Sequence, residues 1–461
     1  VISAQDQLET LHLDAKAIFL HAIKECDIAR AFDRHMHFEG ATLVRHPSPV
    51  VKPLVQSLGE FKKIQVIAFG KGALSMLDAL MGRLPAEMRS RVHGVCSAIG
   101  EPVHRHRHIR YYQGGHPLPN EDSIAAARAT LDLLRKAGRD TFIFFLISGG
   151  GSAMLELPLA SGMSLDDTRA FHETLVSSGA NITEINTVRK YFSAIKGGRL
   201  AKAAPAAQKL SLLLADVPLR DLALVASSPT LPDPSTFAEC DEILIRFHMM
   251  EKFPASVRAY FLDLRAAPPA PPGPPVFERT QLDTLLSNHD FVNAARDKAR
   301  ELGYRVIIDN SCDNWSYDEA AAYLLARFHT LRRETPRLCL LSSGEVTVTL
   351  DKKHGCGGRN QHFALAAALD MAHQSGEALA VLSAGSDGVD GNSPAAGAIA
   401  DTTTVARARE LRFDPEQSLA QFNSCPLFTA LGDAIMTGPT NNNLRDIRIL
   451  LASGGDEETT L

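Results

Sequence analysis

Apolar positions along the chain follow two periods. Short runs of β-branched, aromatic and aliphatic residues, at 64–69 (IQVIAF), 142–147 (FIFFLI) and 210–215 (LSLLLA), alternate with longer stretches whose apolar residues recur every three or four positions. That alternation predicts βαβ units around a mainly parallel sheet, the α/β class. Each run ends in glycine or polar residues: Gly70-Lys71-Gly72, Ser148-Gly149-Gly150-Gly151-Ser152, and Asp216. Ligands of open α/β sheets bind beyond the carboxyl ends of strands, so these positions are the first to suspect. Further along, 290–302 reads as a helix and 305–309 as a strand. Residues 338–342 and 346–350 read as a hairpin turning at Ser343-Gly344-Glu345, and 378–383 as a strand leading to Gly385-Ser386-Asp387-Gly388. The stretch AAPPAPPGPP at 266–275 holds six prolines, too many for a helix or central strand, and predicts a solvated polyproline-II linker or surface loop.

Length and charge narrow this picture. A chain of 461 residues exceeds one average domain and suggests two. With 45% hydrophobic and 22% charged residues it is globular rather than disordered. A net charge of −5 offers no basic excess for nucleic acid or an anionic membrane, so an anionic ligand must be held by local groups. Seven scattered cysteines without a C-x-x-C pair point to a reducing compartment. The N-terminal stretch lacks the pattern of a secretory leader, and no apolar run approaches the ~20 residues that span a bilayer, so the cytoplasm is the expected location.

The strongest local signal is SGGGS at 148–152. Three glycines let backbone N–H groups turn toward one point at a helix N-terminus, which suits a phosphate or carboxylate. It is neither the Walker pattern nor G-x-G-x-x-G. Lys71, between two glycines, can reach over the sheet edge. The segment NITEINTVRKYFSAIKGGR at 181–199 gathers Asn186, Arg189 and Lys196, and the last two share a face if it is all helical. Phosphoryl transfer needs such cations because charge spreads over three oxygens. Asp216, Glu345, Asp387 and Asp390 are candidates for Mg²⁺ or for taking a hydroxyl proton. Arg359, Asn360 and Gln361 form a candidate bidentate clamp after Gly357-Gly358. His104, His106 and His108 would line one face of a strand, but no fourth zinc ligand is apparent and a surface patch is preferred. Cys356, between two glycines, reads as an ordinary loop cysteine.

In order, the chain carries FGKGA at Phe69, GGHPLPNEDS at Gly114, LISGGGSAML at Leu146, GANITEINTVRKYFSAIKGGRLA at Gly179 and DVPLRDLALVASSPTLPDPST at Asp216. It continues with SSGEVTVTL at Ser342, GCGGRNQHFALA at Gly355, AGSDGVDGNSPAAGA at Ala384 and TGPTNNNLRD at Thr437. These motifs resemble, over nearly the whole chain, the class II glycerate 2-kinases with a C-terminal MOFRL domain. The resemblance implies a helical segment at 1–45 packing on the C-terminal domain, a Rossmann-like domain at 46–260, a proline-rich linker at 261–280 and a MOFRL-type α/β domain at 281–461. It implies an active site in the cleft and ATP- and Mg²⁺-dependent conversion of D-glycerate to 2-phosphoglycerate. Lys71, Arg189, Asp216, Arg359 and Asp387 would be catalytic, and Asp216 with Asp387 would hold Mg²⁺. Ser148, Gly149, Gly150, Gly151, Ser152, Asn186, Lys196, Glu345 and Asn360 would bind substrate or phosphate. ATP and D-glycerate are then the partners, with a homodimer as a candidate assembly.

The chain departs from the family pattern at several places. Cys356 stands where a basic residue is usual, His362 for a glutamate, Ser228 and Ser343 for glycines, Val346 for a threonine, and Asn441-Asn442 within a GPTGTN motif. Three alternatives follow. They are a hydroxypyruvate reductase using NAD(P)H, the label many members carry, a kinase of another small hydroxy acid, and a catalytically silent paralogue. A reductase requires a glycine fingerprint with an acidic residue about 20 positions on, and neither is found.

Overall fold

The structure, a computed structural model, describes residues 3–47, 52–215, 225–268, 273–350, 353–373, 378–440 and 442–454. The chain divides into two units, one of Ile28–Ser287 and one of Val1–Asp27 with Asn288–Leu461.

The unit Ile28–Ser287 opens with the helix Ile28–His35 and a small antiparallel sheet of β1 (Met36–Glu39), β2 (Thr42–Arg45) and β3 (Leu54–Ser57). The helical expectation for the first 45 residues therefore ends at His35. Gly40, left-handed at φ 56°, turns the chain between β1 and β2 instead. Six parallel strands follow: β4 (Lys63–Phe69), β5 (Val92–Ala98), β6 (Ile109–Gln113), β7 (Thr141–Ile147), β8 (Gln208–Ala215) and β9 (Thr280–Ser287). Their order is β6-β5-β4-β7-β8-β9. This is the doubly wound arrangement, in which the order reverses between β4 and β7. All seven residues of β7 are buried, as expected of a parallel strand covered on both faces. Because β9 pairs with β8, the unit runs past the proline-rich stretch, of which 269–272 lie outside the described residues and Pro274–Val276 form a single 3₁₀ turn.

In the other unit the helix Ala4–Glu25, opened by a Ser3–Asp6 capping box, meets the helix Asn288–Glu301 through the edge-on rings of Phe19 and Phe291. Its sheet joins β10 (Arg305–Ile308), β11 (Leu338–Ser343), β12 (Leu379–Gly385), β13 (Gly397–Asp401), β14 (Ala434–Ile435) and β15 (Asp446–Ala452) in the order β10-β11-β15-β12-β13-β14. Only β10 and β11 run parallel, so this sheet is mixed. The expected hairpin does not form. β15, buried at all seven positions, takes the place beside β11, while Val346 enters the core and Thr347 makes one isolated bridge to Ser316. Among the described residues no helix is long and apolar enough to cross a membrane.

Candidate functional site

Phe69 and Ile147 end adjacent parallel strands where the strand order reverses, and two glycine-rich turns leave them side by side. The turns are bonded to each other. Ser148 N–H donates to Phe69 O (3.2 Å), Lys71 N–H to Gly149 O (2.9 Å) and Gly72 N–H to the Ser148 hydroxyl (2.9 Å). Gly70 has φ 114° and leaves no space for a side chain, since a Cβ would stand 2.4 Å from Ser148 Oγ. Gly150, left-handed at φ 77°, begins the short helix Gly151–Met154, and a Cβ there would meet the His116 ring at 3.0 Å. Among the described residues the N–H groups of Gly149 and Gly150 donate to no backbone carbonyl. Bare, uncommitted N–H groups beside a lysine are what a phosphate or carboxylate recognises.

Behind this turn lies a buried ionic network that sequence reading identified only in part. Lys196, fully buried, donates from Nζ to Ser152 O (2.9 Å) and to Glu156 Oε2 (2.5 Å). His172 Nε2 lies 2.9 Å from the same oxygen, and Ser193 donates to Glu156 Oε1 (2.5 Å). Burial works to raise the Glu156 pKa, but Lys196 and then His172 overcome it and hold the carboxyl at about 2. His172 is pushed down to about 4, chiefly by burial, and Lys196 is also lowered by burial. The Ser152 hydroxyl is 2.9 Å from Ser227 Oγ, which donates to Asn186 Oδ1 (2.8 Å). Asn186 and Arg189 ride on the helix Ile182–Phe192, opened by an Asn181–Glu184 capping box. That helix stops at Phe192, so Arg189 and Lys196 share no helix face, yet Glu156 acts electrostatically on both. Among the described residues the Arg189 Nε is buried without a hydrogen-bond partner, and an incompletely satisfied guanidinium is one that an anion would complete. Asp216 lies outside the described residues.

The second unit carries its own charged cluster. Arg359, first residue of the helix Arg359–Met371, places Nε 2.6 Å from Asp446 Oδ2, and its Nη2 3.1 Å from Asp446 Oδ1 and 2.9 Å from Glu345 Oε1. Asp446 and then Glu345 raise its pKa against the cost of burial. The side chains of Arg359 and Glu345 remain 35% and 33% exposed, so a ligand can reach them, whereas Asp446 at 2% is a support. Asp387 Oδ1 and Asp446 Oδ1 each lie 3.2 Å from where a Cβ on Gly385 would stand, with the Asn360 amide at 3.7 Å. Asn360 and Gln361 do not form a free clamp with Arg359. Their N–H groups donate to the Asp390 carboxylate (3.0 and 2.8 Å), and their side chains bond Ser383 and Ser393. Burial, with Asp446 nearby, pushes Asp390 up to about 7 against those two donors.

Other expectations resolve simply. His104, His106 and His108 lie in an irregular segment before β6 rather than on a strand, and His104 and His106 face the Asp78 carboxylate. Among the described residues no group of three His, Cys, Asp or Glu side chains is arranged around a metal position. The departures at Cys356 and His362 meet one element, the start of the helix Ser424–Leu431. The Cys356 thiol, pushed up to about 11 by burial and then by Cys425, lies 3.9 Å from Asn392 O, the Cys425 N–H donates to Cys356 O (3.0 Å), and His362 Nδ1 sits 2.6 Å from Ser424 Oγ. Ser228 has φ 57°, a conformation that favours glycine. Ser343 bonds Asn288 and Asn310, Asn442 donates to Cys26 O, and Asn441 lies outside the described residues. His116, Glu156, His172, Ser227 and Asp446 are the residues sequence reading missed. His116, Ser227 and Asp446 lie inside the ordered motifs without a role read for them, and Glu156 left a trace as an acid between two leucines.

The family profile described as a domain of unknown function, DUF4147, matches residues 14–262, and that of the MOFRL family matches 338–446. Glycerate 2-kinase of Pyrococcus horikoshii is 35% identical over 404 residues, covering 85% of this chain and 88% of that protein. A protein of Agrobacterium vitis, named provisionally as a hydroxypyruvate reductase, is 35% identical over 402 residues, covering 84% and 86%. The crystal structure of glycerate kinase from Thermotoga maritima superposes with a TM-score of 0.80 at 29% identity, covering 96% of this chain and 100% of that one.

Proposed function

This chain belongs to the glycerate 2-kinase family that joins a DUF4147 domain to a MOFRL domain, and from that premise we propose that it transfers the γ-phosphoryl group of ATP to the 2-hydroxyl of D-glycerate with Mg²⁺. The observation that carries this reading is the pair of bonded glycine turns where the strand order reverses, with Lys71 on one and the uncommitted N–H groups of Gly149 and Gly150 on the other. Rigid N–H donors and a cation on a fixed turn stabilise charge without having to reorganise during transfer. Arg189, whose Nε has no partner among the described residues, adds a second cation to the network around Glu156. Lys196 acts from inside, holding the Ser152 carbonyl rather than touching the ligand. The other unit, taken by itself, offers a second candidate anion-binding group in Arg359, held by Asp446 and paired with Glu345.

The carboxylate oxygen of Asp387 fits Mg²⁺, a hard cation that favours oxygen and is commonly held by one or two carboxylates plus substrate phosphates rather than by an all-protein cage. Bound there, the ion would neutralise phosphate charge. The test is to follow ADP release with D-glycerate beside NADH oxidation with hydroxypyruvate. ADP release that depends on D-glycerate, lost at least ~100-fold in kcat/KM by Lys71→Ala, is expected. NADH turnover without ATP would establish the reductase reading instead.

A further inference from the structure

We propose that His116 is a catalytic residue of the transfer, accepting the proton of the acceptor hydroxyl at Nε2; the assignment rests on the kinase reading above. The residue is open to solvent on one side, and its Cδ2–Nε2 edge lies against the phosphate turn, 3.0 and 3.3 Å from where a Cβ on Gly150 would stand. The supporting loop is fixed on several sides. Gly115 N–H donates to Ser123 Oγ (2.9 Å), Asn120 Nδ2 to Gln113 O (2.9 Å) and Arg169 Nε to Pro119 O (2.9 Å). Among the described residues the charged groups around this loop are Lys71 after β4, Arg169, and Glu121 and Asp122 at the start of the helix Glu121–Leu134, of which Asp122 accepts the Gln113 N–H. Burial against the turn and then the Lys71 charge lower the His116 pKa, so the ring is neutral at pH 7 and able to accept a proton. Among the described residues Glu156 and His172, behind the turn, are buried and paired in one network with Lys196.

The step balances without a further reactant. A lone pair of the hydroxyl oxygen forms the new bond to phosphorus, and the bond from phosphorus to the bridging oxygen breaks with its electron pair leaving on ADP. The hydroxyl proton passes to Nε2 and then to solvent. A base of this kind contributes ~10²–10⁴-fold.

The experiment is the pH profile of kcat/KM for D-glycerate in the wild type, His116→Gln and His116→Ala. Glutamine keeps a hydrogen-bond donor for phosphate but cannot take the proton. The wild type should fall tenfold per pH unit on an acid limb below 6.5. His116→Gln should lose that limb and at least ~100-fold of kcat at pH 8 with the KM for ATP nearly unchanged. Imidazole added to folded His116→Ala should restore activity. Retention of the limb, a loss under threefold, or no imidazole rescue overturns the assignment while the kinase reading stands. A wild type that never phosphorylates glycerate overturns both.

Discussion

His362 is a buried imidazole whose surroundings hold it in the neutral form. Its ring contacts those of Phe422 and Tyr317, and Ser424 satisfies Nδ1. Burial pushes its pKa down to about 4. An exposed histidine titrates near 6.5, so as pH falls the unfolded chain takes up this proton first. The stabilising contribution of neutral His362 is complete above 6.5 and is lost on the way down to 4. Between pH 7 and pH 5 the wild type should lose about 2 kcal/mol more stability than His362→Gln in urea unfolding. Parallel pH curves for the two would contradict this. Cys356 is tied to the same helix start as His362, because the Cys425 N–H donates to its carbonyl (3.0 Å). At this scale the sequence is readable where chemistry and backbone coincide, as at Gly70 and Gly150. It is silent on Asp446, whose partner Arg359 lies 87 positions away.

Among the elements, the helix Arg359–Met371 has no side-chain cap of its own, because Gly358 precedes it. Asp390, from the loop after β12, caps it instead through the N–H groups of Asn360 and Gln361. This capping aims the first residue, Arg359, so a helix end rather than a side chain is the unit of precision. Asp390→Ala should destabilise the fold by about 1–2 kcal/mol and speed hydrogen exchange at the Asn360 and Gln361 amides, whereas Asp390→Asn should keep part of both. Unchanged exchange in the alanine variant would show that another group caps the helix. Strands with continuous apolar runs, β4, β7 and β8, were legible to within two residues, because burial on both faces leaves one reading. The hairpin at 338–350 was misread because a turn signal competes locally, while β15 displaces the second arm through pairing a hundred positions distant, which no local pattern contains.

For the whole molecule, the doubly wound sheet puts two glycine turns at one switch point, and that convergence follows from strand order rather than from either motif alone. Composition excluded polymers and membranes as expected partners, and the ordered motifs narrowed the substrate to glycerate. The buried Lys196–Glu156–His172 network could not be read ahead, since its members lie on separate elements and a buried lysine looks like an exposed one in sequence. The central claim is phosphorylation of the glycerate 2-hydroxyl, and ³¹P NMR of the product from D-glycerate, ATP and Mg²⁺ tests it most directly. The account predicts a phosphomonoester doublet, from phosphorus coupled to the single proton at C2. A triplet from the two protons at C3, or no new phosphomonoester signal, would contradict it.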